Sequence, residues 1–383
     1  MPRDIALYIH VPFCHNKCPY CSFVSYDHRE ADIPLYLSAL KKELIRRAGG
    51  ECIRSIYFGG GTPSLLSVKY VGDIISAISS LFTVDGAAEI TIEANPGTIN
   101  RAYLTAIREL GVNRLSLGVQ SLNDRELALL GRIHTAAEAR DAVQCARDSG
   151  VDNLSIDLIY GLPCQTLSDW QYTLDEAITM RPEHLSLYSL TLEAETPMWR
   201  AIKEGSLPEL DPDVSADHYE LAEDLLATQS YSHYEISNWA IVGRECRHNL
   251  TYWRNLPYLG VGVAAHSCLD GHRLANTKSL AVGHHHLDVA DFSGKSSPVP
   301  ELDEEINPEL ELAETAILGL RLCEGIDLDD IRRRFGIDIL AHYRQQVEEM
   351  VDAGLLEQAD RHIRLTRRGR LLSNEVFWRF LPG

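Results

Sequence analysis

The chain has 383 residues, 45% hydrophobic and 24% charged, with a formal net charge of −19. That is an ordinary globular composition, long enough for roughly two to three domains, and too acidic to favour generic binding to nucleic acid or to an anionic membrane. Nine cysteines are too sparse for a disulfide scaffold, and no apolar run suits a secretory leader or a membrane span of roughly 20 residues, so a cytoplasmic protein with at most peripheral membrane contact is expected.

Six strand-like runs come first: Ile5–Val11, Ile53–Phe58, Glu89–Ala94, Arg114–Val119, Leu154–Tyr160 and Leu185–Leu190. Amphipathic stretches at Leu35–Arg47, Val68–Leu81, Tyr103–Leu110, Ala136–Arg147 and Leu167–Ile178 separate them. Strands and helices of this length in alternation predict parallel βαβ units. Several strands run straight into a motif: Cys14, Gly59-Gly60-Gly61, Asn95-Pro96-Gly97, Gln120-Ser121 and Gly161-Leu162-Pro163. Loops at the carboxyl ends of barrel strands converge on one face, so six units predict a partial (β/α)6 barrel, open on one side, with its site at that face.

Beyond Glu193 the pattern changes. A helix over Val214–Ala227 is followed by His248-Asn249-Leu250-Thr251-Tyr252-Trp253 and by a glycine-rich, strand-like run at Leu259–Ala265. The segment Glu301–Glu314 carries seven acids and reads as a link to, or the opening of, a last domain. Three helices, Ala313–Leu322, Leu328–Phe335 and Ile339–Ala353, then precede Ile363-Arg364-Leu365-Thr366. The expected fold is α/β: a partial barrel followed by a mostly helical, winged-helix-like C-terminal domain, divided as 1–193, 194–300 and 301–383. His284-His285-His286 reads as a solvated loop. Five arginines between Arg361 and Arg370 make the best case for nucleic-acid binding, which the overall acidity opposes.

Cys14, Cys18 and Cys21 lie within eight residues, directly after the first strand, and the other six cysteines are scattered. Thiolates suit iron–sulfur clusters, and Cys-x3-Cys-x2-Cys lets one short loop hold three corners of a [4Fe-4S] cube. Three ligands leave the fourth iron open. Zinc is the competing metal, but its structural sites take four ligands, usually as two separated pairs, and no second pair follows. The scattered cysteines read as small buried hydrophobes.

Six motifs stand in order: Tyr8-Ile9-His10-Val11-Pro12-Phe13-Cys14, Gly59-Gly60-Gly61-Thr62-Pro63, Glu93-Ala94-Asn95-Pro96-Gly97, Gly118-Val119-Gln120-Ser121, Gly131-Arg132-Ile133-His134 and Asp157-Leu158-Ile159-Tyr160-Gly161-Leu162-Pro163. Together they resemble the radical S-adenosylmethionine (SAM) branch that contains oxygen-independent coproporphyrinogen III dehydrogenase and a related haem chaperone. The resemblance runs from Ile5 to the C-terminus. It implies that SAM chelates the open iron, and that one electron from a donor protein cleaves it to methionine and a 5′-deoxyadenosyl radical. It further implies that Tyr8 and Tyr20 border SAM, that Gly60, Gly61 and Thr62 take its methionyl part, and that Glu93 and Gln120 are ligands. Arg132 and Asp157 would complete the site, as a pair. As residues alone, Gly59–Gly61 could be a tight turn, Arg132 a helix cap and Tyr8 plain core. A lone carboxylate at Asp157, in an apolar strand, needs a partner.

Two departures separate the chain from the dehydrogenase. That enzyme resembles Cys-x3-Cys-x2-Cys-x-Cys, whereas Phe23 stands at the fourth position here; it also carries an N-terminal extension, and few residues precede Ile5. Both match the chaperone and leave porphyrinogen decarboxylation in doubt. His248-Asn249-Leu250-Thr251-Tyr252-Trp253 resembles the chaperone's His-Asn-x-x-Tyr-Trp motif. In a helix His248 and Tyr252 share a face, with Asn249 and Trp253 on the adjoining one. The resemblance implies that this segment shapes a haem site: His248 or another histidine on the iron, Asn249 at a propionate or anchoring the local backbone, Tyr252 and Trp253 against the macrocycle. A helix with core aromatics and a hydrogen-bonded histidine is the alternative. Expected cofactors are a [4Fe-4S] cluster, SAM and haem, and expected partners are haem and the haem proteins that accept it.

Overall fold

The computed structural model describes residues 2–283, 286–288 and 301–382, so His284 and His285 lie outside the described residues. Strands whose two faces are both covered must be apolar along their length. Six such segments stand as parallel neighbours in chain order: β1 (Asp4–Val11), β2 (Cys52–Gly60), β3 (Thr83–Ala94), β4 (Arg114–Gln120), β5 (Leu154–Tyr160) and β6 (His184–Ser189). The connecting helices are α1 (Ile33–Arg47), α2 (Val68–Leu81), α3 (Arg101–Glu109), α4 (Ala136–Asp148) and α5 (Leu167–Thr179). Their starts are set by side chains that satisfy free backbone N–H groups. Thr135 with Glu138, and Thr166 with Asp169, form reciprocal capping boxes, and Ser67 accepts from the Tyr70 N–H.

The two-residue strand period sorts the side chains. Phe58, Ile92, Leu117, Ile156, Leu158, Leu185 and Leu187 are at most 1% exposed and belong to the main apolar core with the helices. The intervening residues Tyr57, Glu93, Ser116, Gly118, Asp157 and Ser186 line a common interior cavity.

Past β6, α6 (Pro212–Ala227) leads to β7 (Ser232–Glu235) and β8 (Asn238–Ala240), and β8 pairs antiparallel with β6. A short helix, α7 (Arg247–Trp253), precedes β9 (Tyr258–Val261), which returns to the far side of β1 and pairs with it in parallel. The partial barrel therefore has a seventh parallel strand, drawn from the run expected at Leu259–Ala265. It stops at Val261 because Gly262 and Ala264 take φ of +97° and +55°, outside the extended region. Antiparallel β10 (His266–Leu269), β11 (His272–Ala275) and β12 (Leu302–Glu305) extend that edge. A boundary at residue 301 thus falls just before a strand of the main sheet. Acidic β12 fits there because Arg273 on β11 meets Glu304, and also Glu314 beyond it. Among the described residues no helix is long and apolar enough to cross a membrane.

The last part has its own core, including Leu312, Ile331, Val347, Ile363 and Phe380. It comprises α8 (Pro308–Gly319), β13 (Ile326–Asp327), α9 (Leu328–Phe335), a turn of helix at Ile339–His342, α10 (Arg344–Asp352), β14 (Leu356–Ala359), β15 (His362–Leu365) and α11 (Arg367–Leu371). The expected helix Ile339–Ala353 is broken at Tyr343, whose ψ of 33° is not helical. With β13 pairing on β15, and β14–β15 as the hairpin, the winged-helix-like expectation holds in shape.

The arginines between 361 and 370 are spent inside the chain. Arg361 meets Asp329, Arg364 meets Glu357, Arg367 meets Asp224, and Arg368 donates to the Ala353 carbonyl. Arg367 and Arg370 both reach Glu223 of α6, a carboxylate only 8% exposed, at 3.2 and 2.7 Å. Removing a partner from a buried carboxylate costs far more than breaking an exposed pair. Arg370→Ala is therefore expected to lower stability by about 2 kcal/mol. Arg361→Ala, on the exposed Asp329 pair, should change it by less than about 0.5 kcal/mol. Thermal unfolding of the two variants checks the contrast.

Candidate cluster and cofactor site

The interior opens at the carboxyl ends of the strands as a cavity of about 390 Å3. Cys14, Cys18 and Cys21 line it, and so do Tyr20, Gly60, Gly61, Thr62, Glu93, Gln120, Arg132 and Asp157, so eleven of the expected cluster and SAM residues meet on one surface. The cysteine loop is held to β2 by backbone bonds from Gly61 N–H to Val11 O at 2.9 Å and from Thr62 N–H to Phe13 O at 2.7 Å. A Cβ on Gly61 would come within 2.6 Å of Phe13 O and 3.0 Å of Cys14 Sγ, so only glycine lets this strand end lie against the cysteine. Thr62 Oγ1 approaches Cys14 Sγ at 3.7 Å, and Arg132 Nη1 approaches Cys18 Sγ at 3.6 Å. Phe23, two residues past the third cysteine, is 66% exposed on the cavity rim.

Glu93 accepts from Tyr57 Oη at 2.8 Å and from the Gly60 N–H at 3.1 Å. Burial raises its pKa to about 7 against those two bonds, with the charge of Asp157 adding to the rise. Gln120 ends β4 with φ of +70°, next to a register shift between Gly118 and Gln120, which turns it to the cavity.

Arg132 and Asp157 do not form the expected pair. Asp157 accepts from Ser116 Oγ at 2.9 Å and Ser155 Oγ at 3.1 Å, and the guanidinium whose charge bears on it is that of Arg114. Arg132 instead donates to Asn95 Oδ1 and to the Gly118 carbonyl. Its Nε, like that of Arg114, is buried without a partner among the described residues. Tyr8 is not among the residues lining this cavity; its hydroxyl lies 3.1 Å from His10 Nδ1, and its ring stacks near that of Tyr57, which does line it.

The motif segment is helical, as α7, and lies against the barrel at the level of Ser55 and Glu89. The Glu89 carboxylate accepts from the N–H groups of Arg247 and His248, at 3.1 and 3.0 Å, so it holds the helix start. His248 is 1% exposed; its Nδ1 lies 2.9 Å from Ser55 Oγ and its Nε2 2.8 Å from Tyr252 Oη. Burial, then the charge of Arg114, lowers its pKa to about 3, so the ring is neutral. Both His248 nitrogens face hydroxyls, and the ring lines neither this cavity nor the one beside Trp253. Tyr252 likewise packs inward, edge-on to His248 and Tyr258. Asn249 does reach the cavity that holds the cysteines, whereas Trp253 lines a different one.

Arg114, Ser116, Ser186 and Tyr188 also line the wall and were not singled out from the sequence; Asn95, quoted there only as part of a motif, lines it too. The signal was present for the serines, which sit at the interior parity of apolar strands, as Asp157 does.

The residues suit a cluster with an open iron and an amino-acid-like ligand. Three thiols share a wall with a glycine cradle, two carboxylates and two guanidinium groups with unmet donors.

Comparison with known proteins agrees. The Radical SAM superfamily pattern matches residues 8–177, and that of the HemN C-terminal domain matches 306–372. The chain is 33% identical over 378 residues to "Heme chaperone HemW" of Bacillus subtilis, covering 98% of each. It is 37% identical over 328 residues to the Synechocystis protein of that name, covering 84% of this chain and 79% of the other. It is also 34% identical to mouse mitochondrial "Radical S-adenosyl methionine domain-containing protein 1", covering 98% of this chain and 87% of that one. Coproporphyrinogen III oxidase (HemN) from Escherichia coli shares the fold, with a TM-score of 0.85 at 24% identity, over 99% of this chain and 90% of that one. The chain belongs to the HemW family of radical SAM proteins, whose superfamily implies a [4Fe-4S] cluster and SAM.

Proposed function

We propose that the protein binds haem and delivers it to acceptor haem proteins, with a SAM-binding [4Fe-4S] cluster held by Cys14, Cys18 and Cys21. The observation that carries this reading is near-full-length similarity to relatives named haem chaperones, joined to a cysteine loop that has Phe23 where the dehydrogenase pattern has a fourth cysteine. A reducing, cytoplasmic setting fits three free thiols on one loop.

When bound, such a cluster supplies an open iron for SAM and a single electron to it. The chain's own groups do the rest. Gly60 and Gly61 let the backbone approach the ligand closely, and Thr62 and Arg132 make polar contacts with Cys14 and Cys18 at 3.7 and 3.6 Å. Arg132 and Arg114 each keep a donor unmet for a carboxylate or hydroxyl of the ligand. Glu93, with both oxygens already hydrogen-bonded, is fixed in place to receive an ammonium group.

Reconstituted protein should hold about four irons per chain, and the variant with Cys14, Cys18 and Cys21 all changed to Ala should hold none, by iron analysis and visible absorbance. A cluster persisting in that variant would overturn the assignment. With SAM, reductant and coproporphyrinogen III under anaerobic conditions, the loaded protein should form no more protoporphyrinogen than the triple variant, while added haem should give a saturable Soret change. Robust turnover without haem binding would favour the dehydrogenase instead.

Glu93 gives a pH test. Its folded pKa lies above the unfolded value, so protonation favours the folded state. That contribution is complete below the unfolded pKa of about 4.3 and fades as pH rises to about 7. The unfolding temperature of apoprotein should fall across this window, and Glu93→Gln should flatten that slope.

A further inference from the structure

Asn249 turns one end of α7 to the barrel cavity. The other end, Trp253, opens on a second cavity of about 430 Å3 between α7 and the C-terminal part, within the size range of small-molecule sites. Leu322, Ile326 and Ile331 give it an apolar wall. The Arg321 guanidinium covers the Trp253 ring at 4.3 Å, and Trp253 Nε1 is buried with no partner among the described residues, although a buried indole N–H ordinarily finds an acceptor.

The charges on this wall are unevenly engaged. Glu324 meets Arg254 at 3.3 Å and Asp330 meets Arg333 at 3.1 Å. Asp327 accepts the N–H groups of Asp329 and Asp330, capping α9. Arg334 donates only to the carbonyls of Arg254 and Asn255, and among the described residues it pairs with no carboxylate. A guanidinium with no carboxylate partner, beside a cleft with one apolar wall and one charged, suits the carboxylate of an otherwise apolar ligand. His362 lies on the same wall, directly opposite Asp327 in the β13–β15 ladder, so the two side chains share a face. Its ring nitrogens make no hydrogen bond among the described residues.

A planar, largely apolar macrocycle with carboxylate arms and a metal seeking a nitrogen fits this set. We propose that the cleft between α7 and the C-terminal part seats the haem, with His362 on the iron, Trp253 against the macrocycle and Arg334 on a propionate. This rests on the haem-binding reading above.

Difference spectra of cluster-loaded, full-length protein, with and without added ferric haem, test it. The wild type should show a saturable Soret band. His362→Ala should shift that band and weaken affinity about tenfold. Free imidazole should restore the wild-type band in this variant, which repairs a missing ligand and not a misfolded domain. Arg334→Gln should weaken affinity and leave the band in place. If His362→Ala keeps the wild-type band and affinity, or if its altered band does not respond to imidazole, the cleft assignment is overturned while haem binding stands. If the wild type gives no Soret change, haem binding itself fails, and this assignment fails with it.

Discussion

Every second residue of β2 to β6 faces the helices, and every other one faces the barrel interior. The first set must be apolar to cover the sheet, and the second is free to carry polar chemistry. Leu117, Ile156, Leu158 and Leu187 fill the outer layer, while Glu93, Ser116, Asp157 and Ser186 fill the inner one. Slipping β5 by one residue would drive Asp157 among the helices and bring Leu158 into the cavity. The polar wall and the apolar core are thus enforced by one register, and neither can change alone.

Burial then sets the character of each interior group. Glu93 and Asp157 are both shifted upward, because a low-polarity interior penalises their charge, and each is surrounded by short hydroxyl or amide donors. Arg114, 2% exposed, supplies the positive charge felt by Asp157 and Glu93 on one side and by His248 on the other. The same guanidinium that eases the carboxylates helps hold His248 neutral. Its neutrality lets the ring bridge Ser55 and Tyr252, which locks α7 beneath the cavity.

Much of this was legible in the chain. Alternating apolar runs marked the six parallel strands, and the capped helices between them begin within two residues of where periodicity placed them. The cysteine loop and its glycine cradle were legible as contiguous motifs. What could not be read was pairing across distance. Arg132 and Asp157 look complementary in sequence, yet Asn95 and Gly118 take one and two serines take the other. Tyr258–Val261 carries no mark that it returns to β1, because β pairing depends on the path between strands. Nothing in the sequence marks Ser55, remote along the chain, as the residue that faces His248 Nδ1 while Tyr252 faces Nε2.

The arginines of the C-terminal part answer to ionic strength in two distinct ways. Arg361 and Arg333 sit in pairs open to water, with side chains 78% and 71% exposed, where dissolved ions screen attraction over about 8 Å at physiological salt. Arg370, only 18% exposed, holds a Glu223 carboxylate that is more hidden still, where ions penetrate little. Adding salt therefore relaxes the outer face of this part before it loosens the joint to α6. The C-terminal part stays moored to the barrel while its solvent-facing pairs come and go.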